Sequence, residues 1–294
     1  MTHQQNGTKM RSPKVATYLT VVAAIMISTA SCQNSPPPPP PPLEGEVDIV
    51  LGEGIPLESE IYGESRTINV CLPIGYAERD ERFPVLYLID GGVHQDFIPM
   101  AGMAALATLS GQYREFILVG IQTNNRHYEL TSNSEVEYDL GNIPKNGGAD
   151  DFRRHLQNEV KPFIEDRYRT SGEDAIIGES LAGLFITETF LRSPESFDHY
   201  VAVSPSLWWR DMGLSREAAD LLRRDGFPTD RSLYLTIADE GGTMIEGMER
   251  LVKALENNAP EGLNWWYEPM LDEEHHTIYN PAALHALRLV FAPR

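Results

Sequence analysis

The sequence predicts one α/β domain, a mostly parallel central sheet of about eight strands flanked by helices. Two observations predict it. From about residue 44 short β-branched runs alternate with longer amphipathic stretches. One of those runs also enters a Gly-x-Ser-x-small turn that opens directly into a helical pattern. At 294 residues, 41% hydrophobic and 23% charged, the chain has the composition of a globular protein and the length for a large core.

Taken in order, the expected strands cover residues 47–51, 66–72, 85–89, 116–121, 175–177, 200–203, 233–237 and 265–268. Apolar spacing at i, i+3 and i+4 predicts helices over 97–109, 151–167, 181–192, 217–224, 243–255 and 281–290. Between residues 124 and 149 the pattern lapses into a polar loop of about 25 residues. A loop that long is usually functional or disordered, and this one either roofs a site or is a plain surface excursion.

Upstream of the domain the sequence has a different character. Lys9, Arg11 and Lys14, with no acid before residue 44, precede an apolar stretch over 15–30. That is the layout of a secretory signal peptide, expected over residues 1–31, and the stretch falls short of the ~20 apolar residues a spanning helix needs. Small residues before Cys32 resemble a bacterial lipobox, which makes Cys32 the expected lipidation site, with Thr29 where a leucine is usual. Residues 32–43 hold seven consecutive prolines, Pro36 to Pro42, expected to form a stiff polyproline II linker. The chain is therefore expected to leave the cytoplasm for the periplasm or cell surface and to meet a membrane only through its lipid anchor.

Of 24 lysines and arginines three precede Cys32, so 21 remain against 43 acids, a formal charge of −22 on the processed chain. Such a body repels nucleic acid. Cys71 is the single cysteine beyond Cys32 and reads as a small buried hydrophobe rather than half of a disulfide. No Cys/His set has zinc spacing and no glycine-rich phosphate loop is present, so no cofactor is expected.

The chemistry concentrates in Gly178-Glu-Ser-Leu-Ala-Gly183. A serine lifted above a sheet on a sharp strand-to-helix turn needs small neighbours two residues either side, and Gly178 and Ala182 supply them. A serine hydroxyl needs a base. Downstream, only the pair His275 and His276 lies in a loop, after the 265–268 strand. Asp239 and Glu240 end the 233–237 strand, and either is a candidate to orient that histidine. The amide of Leu181 and those of the Asp90-Gly91-Gly92-Val93 turn are candidate donors to an oxyanion.

These residues resemble the putative esterase family of α/β-hydrolases, in its siderophore-esterase-like branch, related to esterase D and the mycolyltransferases. The resemblance runs from about residue 61 to residue 291. It includes Thr67-Ile-Asn-Val-Cys-Leu-Pro73, Pro84-Val-Leu-Tyr-Leu-Ile-Asp-Gly91, Ser204-Pro-Ser-Leu-Trp-Trp209 and Glu274-His-His-Thr-Ile278. It implies an α/β-hydrolase fold and a serine esterase acting through an acyl-enzyme on Ser180. It further implies His275 as base, Glu240 as the acid with Asp239 as alternative, Gly92 and Leu181 as oxyanion amides, and His94, Arg126, Trp208 and Trp209 on the substrate side. The implied partner is a small-molecule ester, a siderophore ester among them. Acyl transfer by the same residues, or a binding lipoprotein on an inherited fold, are the alternatives. Ala182 stands where relatives commonly carry glycine.

Overall fold

The run Phe83–Ile89 contains no charged residue. In the computed structural model, which describes residue 45 and residues 47–293, all seven of its residues are buried. A strand with both faces covered reads as a continuous apolar stretch, and this one, β3, sits inside an eight-stranded sheet of order β1-β2-β4-β3-β5-β6-β7-β8. The others are β1 (Glu53–Ser59), β2 (Glu64–Cys71), β4 (Ile117–Ile121), β5 (Thr170–Glu179), β6 (His199–Val203), β7 (Ser232–Thr236) and β8 (Asn264–Tyr267). β2 runs antiparallel to both β1 and β4, and every later neighbour pair is parallel. This is the α/β-hydrolase fold.

Side chains alternate across the sheet. Leu86, Leu88, Ile177 and Val203 face α1 (Phe97–Ser110) and, at the C-terminus, α9 (Tyr279–Val290). Val85, Tyr87, Ile176 and Ala202 belong to the opposite core, where Phe152, Ile164, Phe185, Leu214 and Leu251 enter from helices. Those helices are α4 (Ala149–His155), α5 (Lys161–Arg167), α6 (Leu181–Arg192), α7 (Trp209–Leu222) and α8 (Gly242–Asn258). A π turn over Leu156–Val160 joins α4 to α5, so the helix expected over 151–167 is one rod with a local bulge. Glu159, in that bulge, accepts the Ser59 hydroxyl and the amides of Glu60 and Ile61, which fastens the β1–β2 hairpin to the rod.

Three expectations change. Residues 47–51 form no strand: Ile49 and Val50 are 91% and 77% exposed. The first strand lies instead at Glu53–Ser59, where alternate residues are covered, Ile55 and Leu57 partly and Ser59 fully. An edge strand buries one face, so its alternating pattern was the true signal and the denser apolar run beside it was not. The helix expected over 217–224 begins earlier, at Trp209, and Arg210, Asp211 and Met212 in its first turn have φ of 54°, 52° and 60°. Finally, the long polar loop is folded. It contains α2 (Arg126–Glu129) and α3 (Glu137–Asn142), and its buried Asp139 accepts the Ser134 hydroxyl and the Arg210 amide. The expected signal segment, Cys32 and the proline-rich linker lie outside the described residues.

Candidate active site

β5 delivers Ser180 to the carboxyl edge of the sheet, where the strands on either side also end. Ser180 has φ 61° and ψ −117°, a strained conformation for a non-glycine residue, of a kind that costs about 1–3 kcal/mol and persists only where its surroundings enforce it. Here they do so through the backbone. The Ser180 amide donates to the Val203 carbonyl at 2.9 Å, and the Ser180 carbonyl accepts the amides of Leu184 at 2.9 Å and Ser206 at 3.0 Å. A Cβ on Gly178 would stand 2.6 Å from the Ala182 Cβ, so glycine is what lets β5 and α6 meet this closely.

The loop after β8 brings His275 to the nucleophile. His275 Nε2 lies 3.1 Å from Ser180 Oγ, and His275 Nδ1 lies 2.9 Å from Glu240 Oε1. Glu240, with a side chain 9% exposed, comes from the loop after β7. The two loops are stitched together: the Asp239 amide donates to the Glu273 carbonyl at 2.9 Å, and Ala238 bridges Met270. Asp239 itself is exposed and makes no side-chain contact with the histidine among the described residues, so of the two candidate acids it is Glu240 that is hydrogen-bonded to His275. His276 is likewise exposed, its ring edge-on to that of His275.

A carboxylate on Nδ1 makes that nitrogen the N–H donor and leaves Nε2 with a lone pair facing Ser180, the tautomer a general base requires. The Glu240 hydrogen bond raises the His275 pKa above its ordinary value, against burial that lowers it. Further acids surround this pair. Burial pushes the Glu179 carboxyl up to about 7 and that of Asp96 up to about 6, with repulsion from neighbouring acids adding to each. Arg126 moderates both: its Nε donates to Asp90 Oδ2 at 2.6 Å and its Nη2 to the Glu179 carbonyl at 3.3 Å.

Above these groups lies a cavity of about 420 Å³, lined by Arg126, His127, Asn142, Ile143, Ser206, Trp208, Met244 and the three central residues. Of the residues expected on the substrate side, Arg126 and Trp208 line this cavity. His94 does not: it is exposed on the turn between β3 and α1, away from the cavity wall. Trp209 is also a correction. It is buried, and its Nε1 donates to the Ser132 carbonyl at 3.0 Å, so it packs under the wall that Trp208 faces. Adjacent residues at a helix start point in different directions, and a pair of tryptophans in sequence does not say which one turns inward.

The oxyanion candidates differ in readiness. The Leu181 amide is the first of α6, one of the N–H groups that no carbonyl within the helix can satisfy. The Gly92 amide is engaged at 2.9 Å by Gln95 Oε1, whose own Nε2 donates to Thr123 Oγ1. Sequence reasoning missed Gln95, and also Ser206, Asn142, Ile143 and Met244. Ser206 carried a usable signal: it follows the carboxyl end of a strand predicted next to that of the nucleophile, where side chains converge in parallel sheets.

A family model described as "Putative esterase" matches residues 59–236, three fifths of the chain and the nucleophile turn within it. The chain belongs to the Putative esterase family. The match ends before Glu240 and His275, so these two rest on the geometry above. Among curated relatives, the ferri-bacillibactin esterase BesA of Bacillus subtilis is 40% identical over a gapped alignment of 170 positions that covers 50% of this chain and 56% of that protein. The siderophore triacetylfusarinine C esterase of Aspergillus fumigatus is 25% identical over a gapped alignment of 184 positions that covers 60% of this chain and 63% of that one. The chain thus spans less than two thirds of the length of either. Among solved structures, an IroE-like serine hydrolase from Shewanella oneidensis superposes with a TM-score of 0.73 at 25% identity, covering 82% of this chain and 80% of the other. The BES protein from Bacillus cereus, at 22% identity and a TM-score of 0.72 over 84% and 98%, shares the fold.

Proposed function

We propose that this protein is an exported serine esterase that hydrolyses the ester bonds of an iron-chelating siderophore through an acyl-enzyme on Ser180. The observation that carries the reading is the continuous hydrogen-bonded line from Glu240 through His275 to the Ser180 hydroxyl, opening into the cavity under Trp208 and Ile143. Ser180 Oγ attacks the ester carbonyl while His275 Nε2 takes its proton, and the Glu240 carboxylate stabilises the imidazolium so formed. Negative charge gathers on the former carbonyl oxygen, where the Leu181 amide, and the Gly92 amide once it leaves Gln95, are the donors. Collapse of the intermediate breaks the bond to the alcohol, which receives the proton from His275. Water activated by the same histidine then releases the acid. The named activities of the relatives support a siderophore ester as substrate, and the aromatic and apolar wall suits an acyl group with a planar ring. Export rests on the basic and apolar N-terminal segment, and Cys32 is the proposed lipid anchor.

The test compares residues 43–294 with their Ser180→Ala variant on a graded panel of aryl esters and one tri-lactone siderophore. Turnover that the alanine variant loses by at least ~10³-fold supports the reading, and the siderophore is expected to be the best substrate. An intact protein that neither turns over any ester nor reacts with a fluorophosphonate at Ser180 would sink it.

A further inference from the structure

The geometry points to Ser206 as a second protein hydroxyl in the reaction, a donor that holds Ser180 Oγ in line with His275 and stabilises that oxygen whenever it carries negative charge. This rests on the proposed role of Ser180. Ser206 Oγ lies 3.2 Å from Ser180 Oγ, and either atom is a possible donor by distance alone. Proton accounting decides between them. Glu240 fixes the His275 proton on Nδ1, so Nε2 is an acceptor, and the single Ser180 proton is committed to it. Ser180 Oγ then has only lone pairs to offer Ser206, so the Ser206 proton points at Ser180. Among the described residues Ser206 Oγ has no other hydrogen-bond partner.

The position is rigid. Ser206 is 3% exposed, its amide donates to the Ser180 carbonyl, and its own carbonyl accepts the Trp209 amide. The preceding Pro205 lies against Gly183, where an added Cβ would come within 3.0 Å of the proline Cα. Ser204, at φ 38°, accepts the Ala238 amide with its hydroxyl and so joins this segment to the loop of Glu240. Ser206 therefore moves with the nucleophile turn, and its hydroxyl wall faces the same cavity.

Throughout the reaction the Ser206 proton stays on Ser206. In acylation the bond from Ser180 Oγ to the carbonyl carbon forms as the Ser180 proton passes to His275, and the Ser206 hydrogen bond strengthens while Oγ, losing its proton, carries partial negative charge on the way to the intermediate. In the acyl-enzyme Oγ is an ester oxygen and a poor acceptor. In deacylation the same bond to carbon breaks, charge returns to Oγ, and Ser206 meets it again. Both half-reactions share this donor, which a contact to substrate alone would not give.

The experiment is pre-steady-state hydrolysis of aryl esters that differ in leaving group and in acyl size, by the intact protein, Ser206→Ala and Ser206→Gly. Both variants keep the backbone bonds and lose the hydroxyl, so either suffices if the other fails to fold. A hydrogen bond to a group bearing charge predicts that acylation and deacylation each slow by about 10- to 100-fold. The factor is expected to be common to all leaving groups, with ground-state binding within about twofold. Fluorophosphonate labelling of Ser180 is expected to slow by a similar factor. Variants that match the intact protein in both steps, or that lose rate in proportion to acyl size with weakened binding, would overturn the assignment while leaving the esterase reading intact. An intact protein inert to both ester and fluorophosphonate would overturn both.

Discussion

Replacing Glu240 with glutamine tests the central geometry with the least change of shape. The Glu240 carboxylate is 2.9 Å from His275 Nδ1, and during reaction the ring acquires a full positive charge. At an effective dielectric of about 20 two unit charges at that distance attract by about 6 kcal/mol, and by about 3 kcal/mol at about 40, a value suited to a ring about one third exposed. Removing the carboxylate charge should therefore slow the chemical step by about 10²- to 10⁴-fold. The amide adds a second defect: its N–H₂ end can donate to Nδ1, which places the ring proton on Nε2 and faces it towards Ser180, the wrong tautomer. Substrate affinity is expected to hold within about threefold, since Glu240 acts behind the histidine. The pH dependence supplies an independent sign. The Glu240 hydrogen bond is the largest cause of the raised His275 pKa, so the acid limb of kcat/KM should move to lower pH in the variant. The assay is aryl ester hydrolysis followed from about pH 5 to about pH 9. A variant within threefold of the intact protein, with an unmoved acid limb, would refute the reasoning and leave a serine and histidine working without a third member.

Glu179→Gln should also move the acid limb of His275 to lower pH, because an ionised Glu179 raises that pKa. It should in addition remove any ionisation near 7 that the intact profile shows, and a profile unchanged in both respects would contradict it. Gly178→Ala places a methyl 2.6 Å from the Ala182 Cβ; an overpacked contact of that kind should lower stability by about 1–3 kcal/mol and slow fluorophosphonate labelling, which thermal melting and labelling rates will report. Arg66→Met removes one partner of a buried pair, Arg66 with Glu129, whose side chains are 1% and 3% exposed. Leaving Glu129 buried and unpaired should cost about 3–5 kcal/mol, or about 6–20 °C in Tm, and a melting point within about 2 °C of the intact protein would count against the pair as an anchor.

The nucleophile turn was legible in sequence because its requirement is local: a strained serine between strand and helix admits only small neighbours, and Gly178 and Ala182 are within two residues of it. From the residues themselves the base was legible only to a pair, and the choice of His275 came from the family resemblance. His275 and His276 share one loop, and what separates them is which ring the Glu240 loop reaches, a contact spanning 35 residues of sequence. The same holds for Asp239 against Glu240. Burial decided the tryptophans, and nothing in Trp208-Trp209 records which one finds a carbonyl at Ser132. The buried cores of the central strands were legible since a strand covered on both faces is apolar there, whereas β1, half covered, was passed over for the denser apolar run before it, Val47-Asp-Ile-Val-Leu51. The polar segment over 124–149 misled for a related reason: its order comes from buried polar partners, Asp139 with Ser134 and Arg210, and Glu129 with Arg66. Composition alone counts such residues as solvent-seeking.

That segment's fastening bears on how the protein discriminates. The wall carrying Arg126, His127, Asn142 and Ile143 is bolted down at three places: at Arg66, at the left-handed turn of Arg210, Asp211 and Met212, and at the Trp209 indole. A substrate entering here does not have to freeze a wandering loop, so little of its adhesion is consumed in ordering the host. The same stiffness withholds accommodation. A ring or chain too wide for the gap finds no yielding side, and on the proposed activity selection among esters would fall to shape at the door rather than to closure after entry. Turnover should then be governed by bond making and breaking, with product leaving through an opening that never shut.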